Sequence, residues 1–205
     1  MRFANPRVAE DLKQGKPLRL DIGSGAKPRA GFYGVDRLET PGVDIVADFN
    51  QPLGLLPDNC AEHIFSSHAL EHVQDLFLLL REIHRVSRPG ALIEIIVPHF
   101  SNAWYYSDPT HVRFFGLYTL SYFVDEDKQP HGHKVPAFAD APRFVLESVK
   151  IGFYRFNLLD RILVPFVRYF VNRTPRAQDF YELRLARWFP ASELRFRMRP
   201  SKAAA

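Results

Sequence analysis

The sequence from Leu18 to Pro28, LRLDIGSGAKP, combines residue types that suit a small-molecule site. An apolar run ends in the carboxylate of Asp21, and Gly23 and Gly25 follow with Ser24 between them. Glycine reaches positive φ and carries no side chain, so such a loop turns sharply and lets a ligand lie against the backbone. The stretch therefore predicts a cradle for a nucleotide-like cofactor.

The details of this loop narrow the class of cofactor. The dinucleotide pattern G-x-G-x-x-G needs a third glycine or an alanine for close helix packing, and Pro28 stands at that place. The phosphate loop G-x-x-x-x-G-K-[ST] does not occur. The loop thus weighs against a dinucleotide and excludes ATP bound in this way, whereas its carboxylate suits a ligand with an ammonium group.

A second stretch, from His99 to Phe115, carries candidate bases beside aromatic side chains. His99, Asp108 and His111 could remove a proton from a substrate, and neighbouring aromatic residues could exclude water: Trp104, Tyr105 and Tyr106. Two alternatives stay open, because Asp108 precedes a proline and suits a turn, and His111 could bond a backbone carbonyl. The histidines in this half could also suggest a metal site (His111, His131 and His133), but the polar HGH loop favours exposure, and we expect no metal.

Strand and helix patterns alternate around these residues. Gly31–Asp36 and Val43–Asp48 read as strands that each end in a carboxylate, and His63–His68 reads as the next strand, with Ser67 and His68 at its carboxyl end. Apolar residues then recur at helical spacing, and the run ALIEIIVP from residue 91 to 98 is typical of a buried parallel strand. Asp48 could instead cap a turn, and Glu71 and His72 could simply begin the helix.

These motifs resemble the class I S-adenosylmethionine-dependent methyltransferases, in particular small bacterial members of the methyltransferase-type-11 kind. The resemblance is carried by acidic-x-Gly-x-Gly, by SSHALEHV and by REIHRVSRPG before a buried strand, and it covers residues 18–125. It implies an α/β fold with a Rossmann-like, mostly parallel seven-stranded sheet, and S-adenosyl-L-methionine as cofactor. Only six residues separate Gly25 from Phe32, so a reduced set of crossover helices is expected.

The resemblance also implies roles for individual residues. Asp36 would accept hydrogen bonds from both ribose hydroxyls, and Asp48 would lie beside the adenine. The implied cofactor-binding set is Asp21, Gly23, Ser24, Gly25, Asp36, Asp48, Ser67 and His68. The implied reaction is methyl transfer to an oxygen or nitrogen of an unidentified acceptor, such as a glycan or a lipid-linked intermediate; a nucleic-acid methyltransferase, and a cofactor-binding protein without transferase activity, are the alternatives.

Composition and length agree with one globular domain. The chain has 205 residues, 46% hydrophobic and 24% charged, and a single cysteine, Cys60, which excludes an internal disulfide framework. We expect an N-terminal lead-in over residues 1–17 and one methyltransferase domain over 18–202, with a lid at 99–142 and a basic helical segment at 155–190. Without an apolar signal core or spanning segment, we expect a cytoplasmic protein, with peripheral membrane attachment as an option.

The second half of the chain is basic and amphipathic. Residues 143–202 contain 13 Lys or Arg against 5 Asp or Glu. The spacing predicts a helix over Leu158–Val171 with one apolar face, interrupted by Pro165, and a half-buried strand over Glu193–Arg199. The apolar face suits the sheet, a homodimer contact or an anionic membrane surface, and the charge also suits a nucleic acid.

Overall fold

Eight strands form a single sheet in the computed structural model, which describes residues 1–202. In chain order the strands are β1 Arg2–Phe3, β2 Leu18–Ile22, β3 Tyr33–Asp36, β4 Val43–Val46, β5 Ala61–Ser67, β6 Ser87–Pro98, β7 Phe144–Gly152 and β8 Glu193–Pro200. Across the sheet the order is β1-β4-β3-β2-β5-β6-β8-β7. Five neighbouring strands of the sheet run parallel to one another, in the order β4-β3-β2-β5-β6. Strand β8 lies between β6 and β7 and is antiparallel to both.

The predicted α/β class and mostly parallel sheet are confirmed, with one more strand than expected. The additional strand is β1, which pairs antiparallel with β4 through Arg2 and Phe3. Two residues are too short a run for alternation of apolar and polar side chains to mark a strand, so sequence periodicity had nothing to detect. Val8, in the helix that follows, is fully buried against the sheet.

Within the described residues, four α-helices accompany the sheet: α1 Pro6–Lys13, α2 Leu76–Val86, α3 Leu158–Val171 and α4 Pro175–Phe180. The last of these continues into a π-helical turn at Tyr181–Leu185. Short 3-10 turns lie at Leu70–His72, Ala103–Ser107, Ser121–Phe123 and Glu126–Lys128. Neither the connection from β2 to β3 nor that from β3 to β4 contains a helix. The short, proline-containing loop after Gly25 leaves no room for one, as its length predicted.

The α3 helix has the predicted bounds but does not bury its apolar face. Asn157 caps it, with its side chain accepting from the Asp160 backbone N–H at 2.8 Å. Only Val164 and Val171 are buried, whereas Phe166 remains 62% exposed. The prediction that this apolar face packs on the sheet, which was one of the expected arrangements, is therefore wrong. Among residues 1–202, no helix combines the length and apolar character needed to cross a membrane.

The carboxyl ends of the parallel strands meet at one edge of the sheet. The glycine loop follows β2 there, and the segment from 99 to 142 leaves the same edge after β6. This segment is anchored by buried apolar side chains that join the main core: Phe115, Leu117, Leu120, Phe123 and Val124. Strand directions therefore bring the two chemically interesting stretches to the same side of the molecule.

Candidate functional site

Gly23 makes the close turn that the glycine loop requires. Its φ is +75°, and its N–H donates to the Val35 carbonyl oxygen at 2.8 Å. A Cβ at this position would lie 2.1 Å from the Cβ of Ala69, which precedes the Leu70–His72 turn. Any other residue would therefore push apart the loop and the segment after β5.

Asp21 lies behind the loop rather than in front of it. It is 4% exposed, and its Oδ2 accepts from the Arg29 backbone N–H at 2.7 Å. Burial raises the pKa of this carboxyl, against the lowering effect of the Arg29 hydrogen bond. In this structure Asp21 fixes the exit of the loop, so its predicted contact with an ammonium group stays a prediction.

A cavity of about 200 Å³ opens at the carboxyl edge of the sheet and brings together four of the predicted cofactor-binding residues: Gly23, Asp36, Asp48 and His68. Asp48 accepts from the Asn50 backbone N–H at 2.9 Å, as its alternative role of turn cap predicted. Four other predicted residues do not line the cavity: Asp21, Ser24, Gly25 and Ser67. Gly25 nevertheless borders it through its hydrogen bond to Asp36.

His68 adopts a backbone conformation that is uncommon outside glycine, with φ at +54°. Its ring lies between two carboxylates, with Nε2 3.5 Å from Glu193 and Nδ1 3.5 Å from Glu71. Interaction with Glu193, and then with Glu71, raises the pKa of His68 to about 9. The cavity wall therefore carries an imidazolium at neutral pH, and a strained non-glycine residue of this kind is typical of functional sites.

The three predicted catalytic residues do not lie together. His99 is fully buried, with Nδ1 2.8 Å from the Ser101 hydroxyl and Nε2 3.1 Å from Glu182. Both ring nitrogens are thus occupied, and His99 is not free to meet a substrate in this structure. Asp108 and His111 lie beside the cavity, with His111 Nε2 3.7 Å from Asp108 Oδ2.

Sequence reasoning gave no cofactor-binding or catalytic role to several residues that line the cavity, including Thr110 and His72. The Thr110 hydroxyl is 2.9 Å from His72 Nδ1. His72 belongs to a separate 3-10 turn, while α2 begins later, after Asp75, whose side chain caps Leu78. The signal that could have found this pair is that both residues belong to segments that leave the carboxyl ends of parallel strands, at the ligand-binding edge.

The residues of the cavity fit the cofactor that the resemblance implies. Two carboxylates, Asp36 and Asp48, face one cavity beside Gly23, where carboxylate oxygens can accept from ribose hydroxyls and an adenine amine. Gly25 has φ at +53° and no atom within 4 Å of where a Cβ would stand, so the loop is bare. Asp36 and Asp48 would hold the nucleoside part.

Comparison with known protein families gives one match. Residues 20–95 match the model of a family described as "Methyltransferase domain", a span that runs from β2 into β6. Among curated proteins, no sequence matches the chain.

Three solved structures share the fold. A SAM-dependent methyltransferase from Archaeoglobus fulgidus is 18% identical, with a TM-score of 0.52 and coverage of 94% of this chain and 91% of that one. A complex between the Haloferax volcanii Trm112 methyltransferase activator and the putative methyltransferase contains a chain that is 16% identical, with a TM-score of 0.54. The match covers 92% of this chain and 84% of that one. MccD protein is 15% identical, with a TM-score of 0.52 and coverage of 95% of this chain and 96% of that one. These likenesses show the fold, and with the family match they confirm the resemblance read from the sequence and its cofactor, S-adenosylmethionine.

Proposed function

We propose that this S-adenosylmethionine-dependent methyltransferase methylates an oxygen or nitrogen of an acceptor held at an anionic membrane surface, with a lipid-linked glycan as the acceptor class. The observation that carries the proposal is the apolar face of α3, which is turned outward and bordered by arginines. The cofactor supplies a methyl group on a sulfonium, so the chain's main task is to align the acceptor with it.

The exposed apolar surface extends over α3 and the turn after α4. On α3 the exposed side chains are Leu158, Leu159, Ile162, Leu163, Phe166, Tyr169 and Phe170. At the end of α4 and beyond it they are Phe180, Leu183, Leu185, Trp188 and Phe189. Large exposed apolar patches on soluble proteins usually mark a surface that binds a partner or a membrane. We name these twelve residues the apolar patch.

The charges around the apolar patch are one-sided. Arginines are exposed throughout residues 155–190: Arg155, Arg161, Arg168, Arg173, Arg176, Arg184 and Arg187. The three acidic residues there are engaged by the protein. Asp160 accepts from the Phe156 N–H, Asp179 from the Tyr118 hydroxyl, and Glu182 from the Leu117 N–H. An apolar face with free cations is complementary to anionic headgroups over acyl chains, which favours a membrane over a second copy of the chain.

A basic groove borders the apolar patch at Tyr169. It has a volume of about 1060 Å³ between α3 and the ends of β7 and β8, and its cations are Lys150, Arg155, Arg168, Arg173 and Arg195. Its one acidic side chain, Glu193, is the partner of His68, which lines the cofactor cavity. A phosphate-bearing headgroup could bind the cations of this groove, where Glu193 lies, and the ion pair of Glu193 with His68 extends to the wall of the cavity.

Vesicle flotation tests the membrane step. We expect the protein to float with phosphatidylglycerol vesicles at low salt, and the bound fraction to fall at high salt, because each nearby cation contributes about 1 kcal/mol. The double variant Ile162→Asp/Phe166→Asp should lower the bound fraction about tenfold or more, since both charges would enter the apolar layer. The matched control is Leu38→Asp/Leu55→Asp, at exposed leucines outside the patch, and it should bind normally.

Methyl-labelled cofactor tests the acceptor class. Label should enter the organic-extractable fraction of a lipid-linked glycan preparation, and the double variant should reduce this transfer. Absence of vesicle binding would overturn the membrane proposal. A dimer that the double variant dissociates would assign the patch to self-association, and label in nucleic acid would assign the alternative acceptor. Cofactor binding with no transfer to any fraction would indicate a binding protein.

A further inference from the structure

Three potential ligand side chains converge beside the cofactor cavity. Glu71 and His72 come from the 3-10 turn after β5, and His111 comes from the 99–142 segment. One ligand-type atom from each lies within 4.8 Å of those from the other two, and the two imidazole centroids are 4.7 Å apart. The Val112 N–H donates to the Glu71 carbonyl oxygen at 2.9 Å, which holds the two segments together.

The hydrogen bond of His111 defines which of its nitrogens is free. Nδ1 lies 2.9 Å from the Tyr105 carbonyl oxygen, which can only accept, so Nδ1 carries the hydrogen. In the neutral ring, Nε2 then keeps its lone pair. The carboxylate of Asp108, 3.7 Å from Nε2, is also an acceptor and provides no hydrogen for it.

The same reasoning applies to His72 through Thr110. The Thr110 hydroxyl is 2.6 Å from Asp108 Oδ1, and an ionised carboxylate can only accept, so the hydroxyl hydrogen points to Asp108. The hydroxyl oxygen therefore accepts from His72 Nδ1 at 2.9 Å, and His72 Nε2 keeps its lone pair.

Glu71 adds to this arrangement one carboxylate oxygen that has no donor. Its side chain is 1% exposed, and within residues 1–202 its buried Oε2 has no hydrogen-bond partner. The His68 ring approaches the other oxygen, Oε1, at 3.5 Å. A buried carboxylate oxygen with nothing to bind costs free energy, and two imidazole lone pairs beside it supply no hydrogen.

We propose that Glu71, His72 and His111 bind a divalent transition-metal ion, with Zn²⁺ as the first candidate. Two histidines and one glutamate form a common catalytic zinc set, which leaves the fourth position open. The Nδ1 hydrogen bonds of both histidines are the outer-shell contacts that usually orient metal-binding imidazoles.

The site differs from the sequence expectation of no metal and gives His111 the role of a ligand instead of a free base. Because His72 and Thr110 line the cofactor cavity, an acceptor hydroxyl at the open position would lose its proton more readily. The inference does not depend on the membrane proposal.

Metal content measured by mass spectrometry tests the site. The purified chain, treated with a chelator, incubated with Zn²⁺ and desalted, should hold one zinc per chain, and Co²⁺ should give the visible absorption of a low-symmetry site. His111→Ala and Glu71→Gln should weaken zinc affinity at least tenfold. The matched control is His133→Ala, an exposed histidine outside the cluster, and it should bind zinc as the unchanged protein does.

A second variant keeps the test valid if loss of a ligand unfolds the chain. Thr110→Val leaves all three ligands in place and removes the anchor of His72 Nδ1 together with the exposed hydrogen bond from the hydroxyl to Asp108. Zinc affinity should fall about tenfold while the thermal unfolding temperature changes little. Equal zinc binding by the unchanged protein, His111→Ala and Thr110→Val would overturn the proposal, and so would the absence of zinc and cobalt binding by the folded, unchanged protein.

Discussion

Asp36 accepts a hydrogen bond from the backbone N–H of Gly25, with 2.9 Å between Oδ2 and the nitrogen. Its other oxygen accepts from the Leu38 N–H at 3.0 Å. One side chain at the end of β3 thus holds the glycine loop at the end of β2, and the same side chain lines the cavity at the carboxyl edge of the sheet. Loop geometry and predicted ribose binding therefore depend on the same carboxylate.

We expect Asp36→Ala to weaken binding of S-adenosylhomocysteine by about 1.5–3 kcal/mol, or roughly 10- to 150-fold, because charge-assisted hydrogen bonds are lost. Isothermal titration calorimetry measures this change. Asp127→Ala, at an exposed carboxylate that does not line the cavity, is the control and should bind normally. Unchanged affinity in the Asp36 variant would remove the ribose assignment.

The two loop glycines should respond very differently to alanine. Gly23→Ala places a Cβ 2.1 Å from that of Ala69 at positive φ, so we expect a loss of stability above about 2 kcal/mol together with loss of cofactor binding. Gly25→Ala meets no atom within 4 Å and adds only the backbone cost, about 1 kcal/mol. Urea unfolding of both variants compares them, and equal costs would contradict this account.

Most of the fold was accessible from the sequence because its signals are local. The Leu158–Val171 helix follows from apolar spacing, and the absence of a first crossover helix follows from a loop too short to hold one. Two features were not accessible. A two-residue strand has no period, and the outward direction of the α3 apolar face depends on which elements cover the sheet, a tertiary property.

The candidate site was predictable where side chains follow strands directly. Asp36, Asp48 and His68 each end or follow a strand, and they share one cavity. His99 also follows a strand, but its ring is turned into the core by Glu182, 83 residues away, and no local pattern encodes that contact. The approach of His111 to His72 is equally non-local, so sequence spacing could not indicate it.

Glu82 should make stability depend on pH. Its Oε2 accepts from the Leu53 N–H and from Arg85, each at 2.7 Å, and the Arg85 hydrogen bonds lower the pKa of this carboxyl below its usual 4.5. A depressed folded-state pKa gives stabilisation that is complete above the unfolded value and is lost as the pH falls through the folded one. Glu82→Gln should therefore cost about 2–3 kcal/mol at pH 7.

Urea unfolding between pH 3 and 7, spanning the usual carboxyl pKa range, measures the effect. The free-energy gap between the unchanged protein and Glu82→Gln should be constant down to about pH 4.5 and should narrow below it. Glu10→Gln, at an exposed position on α1, is the control and should show almost no gap. A gap that does not change over this range would show that Glu82 acts through packing alone.

Asn172 attaches the end of α3 to the edge of the sheet. Its Oδ1 accepts from the Ile151 N–H at 2.8 Å, and its Nδ2 donates to the Ile151 and Arg168 carbonyl oxygens, each at 2.9 Å. Because β7 is the edge strand, this amide replaces a neighbouring strand for one residue. Asn172→Ala leaves Ile151 without these partners and should cost about 1–3 kcal/mol.

Hydrogen exchange distinguishes the local effect of Asn172 on the Ile151 amide from a general loss of stability. In Asn172→Ala the Ile151 amide should lose protection beyond the global change, because its hydrogen would face the groove without an acceptor. Asn157→Ala is the matched control at the other end of α3: loss of its cap should cost about 1 kcal/mol and leave Ile151 protected relative to the global value. Equal exchange of Ile151 in both variants would mean that α3 is held to the sheet by Val164 and Val171, and not by the Asn172 amide.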